Sequence, residues 1–314
     1  MTGGIAFTKG HGTQNDFVVL PDPDAALDLT PERVAALCDR HRGLGADGVL
    51  RVVRWAKLAG DETVPEPVPG VEWFMDYRNG DGSIAEMCGN GVRVFARYLH
   101  DRGWAPGGGA IGTRAGVRTA TVSAAGVSVQ MGPVTIGPAS VATSGTARFD
   151  GLVLDVGNPH LACVVSADPD ALDLTRAPLH DPEVFPHGVN VEFLTPLDGP
   201  ADGGRIRMRV HERGVGETRA CGTGTVAAVV AALRAAGHAA GDVRVDTPGG
   251  ELRVTVEAGS DTRTGATVLH GPAVLLATGS WTATGGTPRP EPCGPSPCGE
   301  VPQPAQRGEQ HRQR

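Results

Sequence analysis

Lysine and asparagine are almost missing from this sequence of 314 residues. Of its 28 basic residues only Lys9 and Lys57 are lysines. The whole supply of asparagine is Asn15, Asn79, Asn90, Asn158 and Asn190. Pyridoxal phosphate enzymes need a lysine for the Schiff base, so the presence of only two lysines argues against that cofactor. We also expect lysine and asparagine to persist mainly where chemistry or backbone geometry needs them.

The sequence also lacks an apolar run of roughly 18 residues, a basic-then-apolar signal segment and an excess of positive charge. Its formal net charge of −7 argues against nucleic acid as a partner, because phosphates need a basic surface. These absences predict a cytoplasmic protein that binds neither nucleic acid nor membrane. Six cysteines are too sparse for a disulfide framework in a chain of this length, which predicts free thiols.

Three segments have a clear local interpretation. Residues 284–314 are rich in Pro, Gly, Gln and Arg, which predicts a disordered tail. Cys293 and Cys298 in that tail form only half of a zinc site. Residues 60–70 predict a surface loop. Thr30 and Pro31 predict the start of a helix, as its N-cap and first residue.

The rest of the sequence contains a weak internal duplication. Each half has strands, then a Cys-Gly-x-Gly turn, then one apolar helix, then more strands. This order predicts an α+β protein of two pseudo-symmetric domains, each a mixed or antiparallel sheet wrapped around a central helix. We place the N-terminal domain at residues 1–135, completed by a strand near 267–282. The C-terminal domain is placed at residues 136–266.

The two Cys-Gly-x-Gly turns carry the strongest chemical signal. Cys88 and Cys221 each stand directly before a predicted helix, whose dipole should lower the pKa of a thiol. The glycines leave backbone N–H groups free to bind a carboxylate. Two such thiols around one carbon can remove a proton from one face and return a proton to the other. We therefore predict an epimerase in which these two cysteines are acid and base, whereas Cys38 and Cys163 are inert core residues.

Four segments resemble diaminopimelate epimerase: residues 9–17, 87–93, 157–160 and 212–224. The resemblance covers roughly residues 5–282. It implies two pseudo-symmetric domains that close over the substrate, and the interconversion of LL- and meso-diaminopimelate in lysine and peptidoglycan synthesis. It also implies that neither a cofactor nor a metal takes part. A homodimer is a further expectation.

The resemblance assigns roles to individual residues. Cys88 and Cys221 become the two catalytic bases, and His160 and Glu212 fall where the family has groups that assist them. Backbone groups that bind the reacting carboxylate fall on Gly89, Asn90, Gly222 and Thr223. Side chains that contact the substrate fall on Asn15, Asn79, Asn158, Asn190 and Arg213, the arginine at the distal carboxylate. Some relatives have glutamine where this chain has Gly48, so no side-chain contact is assigned there.

Further functions on the same fold stay open at this point. A proline or hydroxyproline racemase also uses two cysteines, but that family has histidine in place of Asn90 and needs no second carboxylate clamp such as Arg213. A non-epimerising isomerase of the phenazine-biosynthesis type and a binding protein are two more candidates. Neither requires a pair of thiols, so the presence of both cysteines favours the epimerase.

Overall fold

A computed structural model describes residues 4–282 of the chain. The predicted tail at 284–314, with Cys293 and Cys298, lies outside the described residues. The helices are α1 (Pro31–Cys38), α2 (Gly89–Asp101) and α3 (Gly222–Ala235), with short 3-10 helices at Trp55–Leu58 and Pro169–Ala171. The strands are β1 (Ile5–Gly12), β2 (Asn15–Pro21), β3 (Gly48–Arg54), β4 (Trp73–Asn79), β5 (Gly108–Thr113), β6 (Gly116–Ser123), β7 (Gly126–Gly132), β8 (Thr135–Ser144), β9 (Ala147–Asp155), β10 (Pro159–Val164), β11 (Asn190–Leu194), β12 (Asp202–Glu212), β13 (Gly216–Thr218), β14 (Gly241–Thr247), β15 (Gly250–Val256), β16 (Thr267–Gly271) and β17 (Val274–Trp281).

Strand pairing repeats the same topology in two halves of the chain. Neighbouring strands of the first half run in the order β17-β1-β2-β3-β4-β5-β6-β7. Those of the second half run in the order β8-β9-β10-β11-β12-β14-β15-β16. In both halves the successive pairs are antiparallel, antiparallel, parallel, antiparallel, parallel, antiparallel and antiparallel. This agreement at every step confirms the predicted duplication and the mixed sheets.

Each half encloses one helix at the same place in its topology. Helix α2 connects the parallel strands β4 and β5, and α3 lies between the parallel strands β12 and β14. Parallel neighbours need such a crossover connection. Helix α3 is buried from Gly222 to Leu233, and α2 buries Gly89–Ala96, Tyr98 and Leu99. A helix buried nearly all round must be surrounded by other elements, as the predicted central helices require.

The two halves are joined to each other by strands as well as by their cores. The last strands in the two orders, β7 and β16, pair antiparallel. The last strand of the described residues, β17, returns to pair with β1. Residues 267–282 therefore contain two strands, of which only β17 adds to the first half. The chain passes from one half to the other between Gly132 and Thr135, and residues 5–281 form one compact unit.

Two local predictions can be compared directly with the structure. Helix α1 begins as predicted: the Thr30 hydroxyl accepts a hydrogen bond from the backbone N–H of Arg33 at 3.3 Å, and Pro31 is the first helical residue. Residues 60–70 form a mostly exposed segment without helix or strand, which confirms the surface loop. The indole N–H of Trp55 donates to the carbonyl of Pro65 at 2.9 Å and anchors that loop. In the part of the chain that is described, no helix is long and apolar enough to cross a membrane.

Candidate active site

Both cysteines singled out by the sequence are N-cap residues. Cys88 caps α2 and Cys221 caps α3, each with an extended backbone. The sulfur of Cys88 accepts the N–H of Gly91, and that of Cys221 accepts the N–H of Gly224, both at 3.4 Å. The other N–H groups of a first helical turn have no acceptor within the helix. Each turn therefore combines a thiol with backbone donors suited to an anion.

The beginnings of α2 and α3 lie against each other. A Cβ added to Gly222 would stand 3.1 Å from the Cα of Gly89, and one added to Gly89 would stand 3.5 Å from the Cα of Gly222. A side chain at position 222 would crowd the backbone of Gly89, so glycine there allows this close approach. The side-chain amide of Asn90 donates to the carbonyl of Ala220 at 2.9 Å and ties the turns together. The duplication thus brings Cys88 and Cys221, far apart in sequence, to one place.

The predicted lowering of both thiol pKa values is wrong. Burial raises the pKa of Cys88 to about 11, and it raises the pKa of Cys221 well above the ordinary value. The N–H groups of Gly91 and Gly224 act in the predicted direction, because they stabilise the thiolate. Desolvation outweighs this effect, and the charge of Glu212 opposes it at both sulfurs. Burial therefore favours the protonated thiol over the thiolate at both cysteines.

A chain of hydrogen bonds fixes the amide of Asn15 beside Cys88. The Nδ2 of Asn15 donates to the carboxylate of Asp47 at 2.7 Å. An ionised carboxylate only accepts, so the Oδ1 of Asn15 must face the other way. There it accepts from the Sγ of Cys88 at 3.5 Å and from the Nδ2 of Asn90 at 3.3 Å. Sequence reasoning missed Asp47, because nothing in its own segment indicates a contact with Asn15.

The surroundings of Cys221 are richer in titratable groups. The carboxyl of Glu212 accepts a hydrogen bond from the hydroxyl of Thr218, and burial raises its pKa. Behind the turn, the Nδ1 of His160 lies 2.7 Å from the Oε1 of Glu192. Sequence reasoning also missed Glu192, although one signal was present: it is a single acidic residue inside the apolar strand β11, Asn190–Leu194.

The remaining predicted contacts are found at strand ends around the same region. The Oδ1 of Asn158 lies 3.0 Å from the Nε2 of His160. Asn190 donates to the carbonyl of Pro159 at 3.2 Å and accepts the backbone N–H of Arg213 at 2.9 Å. Its amide therefore holds strand ends together.

Arg213 and Asn79 complete the predicted set. The guanidinium of Arg213 bonds only to the carbonyl of His187, at 3.2 Å, and has no carboxylate partner among residues 4–282. Asn79 ends β4, where its Nδ2 donates to the hydroxyl of Ser83 at 2.9 Å. Thr223 lies beside Cys221, with its hydroxyl 3.4 Å from the sulfur.

The two lysines lie in different settings. The ammonium of Lys9 is bound by the carboxylate of Asp16 at 2.6 Å and by the carbonyl of Gly45. Lys57 is exposed in the 3-10 helix Trp55–Leu58. No three His, Cys, Asp or Glu side chains within residues 4–282 are grouped as metal ligands would be. At Gly48 an added Cβ would stand 2.5 Å from the carbonyl oxygen of Arg78, so a larger residue there would require the strands to shift.

Solved structures with similar folds include an epimerase, a probable racemase and a phenazine biosynthesis protein. A hydroxyproline epimerase from Agrobacterium vitis aligns with a TM-score of 0.59 at 14% identity, covering 89% of this chain and 92% of that one. A probable proline racemase from Agrobacterium radiobacter aligns with a TM-score of 0.56 at 17% identity, covering 88% of this chain and 92% of that one. A phenazine biosynthesis protein of the PhzF family from Bacillus anthracis aligns with a TM-score of 0.59 at 13% identity, covering 88% of this chain and 98% of that one. At these identities the likeness shows the two-domain fold alone.

Sequence relatives are far closer to this chain. The family model of diaminopimelate epimerase matches residues 7–137 and 152–276. A diaminopimelate epimerase of Rhodococcus opacus is 55% identical over 287 residues, which cover 87% of this chain and 96% of the relative. Another, from Corynebacterium glutamicum, is 51% identical over 284 residues, covering 88% and 97%. The chain belongs to the diaminopimelate epimerase family.

Proposed function

We propose that this protein interconverts LL- and meso-diaminopimelate without a cofactor, as a step of lysine and peptidoglycan precursor synthesis. The observation that carries the proposal is the contact between two helix N-termini that are each capped by a cysteine. Family membership supplies the substrate, and the paired caps supply the chemistry. A racemase of proline or a non-epimerising isomerase accounts less well for the sequence, because the relatives of high identity are diaminopimelate epimerases.

The proposed reaction begins with a carboxylate held by backbone N–H groups at the starts of α2 and α3. These residues are Gly89, Asn90, Gly222 and Thr223. Both helix dipoles then act on the same group and stabilise the negative charge that develops when the α-proton leaves. One cysteine takes the proton as a thiolate, and the other gives its thiol proton to the opposite face. After each turnover the two sulfurs have exchanged their protonation states.

The rest of the site is proposed to select and orient the substrate. Arg213 is the proposed partner of the distal carboxylate, since its guanidinium has no acidic partner in the described chain. The amides of Asn15, Asn79, Asn158 and Asn190 are proposed to bind the amino and carboxyl groups. His160 and Glu212 are proposed to adjust the charge around the cysteines, and the pKa shifts of Cys221 and Glu212 support this.

Proton exchange with solvent tests the proposed reaction. Incubation of the protein with LL-diaminopimelate in deuterated water should give the meso isomer with one solvent deuterium at the inverted carbon. Early in the reaction the remaining LL substrate should keep its own α-hydrogen, because removal and return occur on different sulfurs. Mass spectrometry and chiral chromatography measure both quantities. Equal turnover of L-proline, or no meso isomer at all, would contradict the proposed function.

Asp47 offers a test of the orientation of Asn15. An asparagine at position 47 has nearly the same shape but can donate as well as accept, so it no longer forces the Oδ1 of Asn15 towards Cys88. We expect Asp47→Asn to lower kcat/KM about 10-fold, as for the loss of a charged hydrogen bond of roughly 1.5 kcal/mol. Asp61→Asn in the surface loop is the matched control. Normal activity of the Asp47 variant would show that Asn15 does not depend on this carboxylate.

Three finer expectations accompany the proposal. We infer a cytoplasmic location from the composition, and a homodimer whose mass can be measured by light scattering. We also propose the division into an N-terminal domain at residues 1–135, completed by β17, and a C-terminal domain at 136–266, which the structure extends by β16. The passage of the chain between β7 and β8, and the return of β17 to β1, support that division.

A further inference from the structure

The duplicated topology allows corresponding residues of the two halves to be compared. Phe17 on β2 pairs with Gly48, the first residue of β3. His160 on β10 pairs in the same parallel register with Asn190, the first residue of β11. His160 therefore occupies the position of Phe17. Two residues further along β3 and β11, Glu192 occupies the position of Leu50.

Contacts with the two central helices agree with this correspondence. Gly91 and Gly224 are each the third residue after a capping cysteine. A Cβ added to Gly91 would stand 3.2 Å from the Cδ2 of Leu50, whereas one added to Gly224 would stand 2.7 Å from the Oε1 of Glu192. Leu50 and Glu192 thus support the first turns of α2 and α3 in the same way.

A third pair extends the comparison. Asn79, the last residue of β4, pairs with Gly48 on β3, and Glu212, the last residue of β12, follows His211, which pairs with Val191 on β11. Around Cys88 the three positions hold Phe17, Leu50 and Asn79, none of which has an acidic or basic side chain. Around Cys221 the same positions hold one imidazole and two carboxyl groups, those of His160, Glu192 and Glu212. The fold is symmetric, but the acid/base environment of the two sulfurs is not.

Glu192 is the member of this group with the most constrained geometry. Its side chain and that of His160 are both 0% exposed, and they meet at 2.7 Å through Oε1 and Nδ1. Its other oxygen, Oε2, is buried without a hydrogen-bond partner among the described residues. A buried carboxylate is costly unless a charge or a proton compensates it. The pair must therefore hold a proton between Oε1 and Nδ1, and this proton fixes the orientation of the His160 ring.

We propose that Glu192 is a positioning residue of the reaction, whose buried carboxyl holds the ring and the proton of His160 behind Cys221. The corresponding position behind Cys88 holds Leu50, which has no carboxyl group. By holding the ring of His160, Glu192 also orients the side-chain amide of Asn158, whose Oδ1 lies 3.0 Å from the Nε2 of His160. The assignment rests on the proposed two-cysteine reaction. Its consequence is that the ionisation of Cys221 depends on a set of buried titratable groups, whereas Cys88 responds to them less.

The charged groups around both sulfurs support a local effect of Glu192. The negative charges of Glu212 and Glu192 both raise the pKa of Cys221, after the larger effect of burial. At Cys88 the negative charge of Glu212 on β12 raises the pKa, and the positive charge of Arg93 on α2 lowers it. Tyr77 on β4 lies near both sulfurs and Glu212, and Asp47 near Glu212 and Tyr77. Removing the charge of Glu192 should therefore make Cys221 easier to ionise and leave Cys88 nearly unchanged.

The pH dependence of thiol alkylation tests this proposal. Wild-type and Glu192→Gln proteins are treated with iodoacetamide over a range of pH, and the two cysteine-containing peptides are quantified by mass spectrometry. We expect the alkylation midpoint of Cys221 to fall by at least about half a pH unit in the variant. The midpoint of Cys88 in the same protein is the internal control. Glu62→Gln, on the surface loop, controls for the loss of one negative charge.

Kinetics then separate positioning from a merely structural effect. Glu192→Gln should lower kcat at least about 10-fold with little change in KM, since the residue does not touch the substrate. In a His160→Gln background the same substitution should have little further effect, because Glu192 acts through His160. Glu192→Asp retains an ionisable group and should recover part of kcat.

Two results would overturn the proposal. One is an unchanged midpoint for Cys221 in a variant that melts at the wild-type temperature. The other is an equal shift at Cys88. Alkylation does not require diaminopimelate, so this outcome remains separate from a failure of the proposed substrate.

Discussion

Replacing either Cys88 or Cys221 should abolish epimerisation, because each sulfur serves one face of the substrate. Loss of a positioned acid or base costs about 100-fold to 10,000-fold in rate, and neither cysteine can reach the face served by the other. We expect Cys88→Ala and Cys221→Ala each to lose activity in this range or beyond it. The measurement is the initial rate of formation of the meso isomer from LL-diaminopimelate.

The alanine variants also remove an N-cap, which costs about 1 kcal/mol of stability. Cys88→Ser and Cys221→Ser separate the two effects, since serine is a good N-cap but its hydroxyl is a much weaker acid. The serine variants should melt near the wild-type temperature and remain inactive. Cys38→Ala, at a buried thiol away from the two caps, controls for the loss of a cysteine. Near-normal turnover by either serine variant would contradict the two-base mechanism.

Replacing Arg213 by lysine should weaken use of diaminopimelate by about 10-fold or more in kcat/KM. A planar guanidinium can hold a carboxylate with two parallel hydrogen bonds, which an ammonium group cannot reproduce. The loss of a charged hydrogen bond is about 1.5–3 kcal/mol. The backbone N–H of Arg213 is fixed by Asn190, while among residues 4–282 the guanidinium has only the carbonyl of His187 as a partner. The residue is therefore anchored at its backbone, and the other N–H groups of its guanidinium can bind the substrate.

The control for Arg213 must keep its backbone contacts. Arg219→Lys serves as the control, because Arg219 is an exposed arginine just beyond β13 whose guanidinium donates to the carbonyl of Pro248. It should leave kcat/KM for LL-diaminopimelate within about twofold, as for most surface substitutions. If Arg213→Lys behaved like Arg219→Lys, the distal carboxylate would have to be bound elsewhere. A substrate with a single carboxylate would then become the better proposal.

Much of the architecture follows from local sequence signals. The Thr30-Pro31 cap predicted α1, and two glycine turns after cysteine predicted the starts of α2 and α3, because the rules for helix ends involve only neighbouring residues. The repeated order of strands and helices predicted two similar halves. The pairing partners of the strands were harder to predict from the sequence, since a strand such as β16 can form hydrogen bonds with a neighbour on either side. Its pairing with β7 joins the halves and could not be derived from its sequence.

The sequence by itself singled out the residues that we propose carry the chemistry, whereas tertiary structure decided their electrostatic environment. Cys88 and Cys221 stood out because both lie in matched glycine turns. The pKa of a thiol, however, depends on how much water reaches it and on charges from distant segments. Here burial raises both pKa values and reverses the prediction made from the helix dipole alone. Glu192 shows the same limit: its sequence neighbours make it an unusual residue of an apolar strand, and only the folding of β10 beside β11 places it on His160.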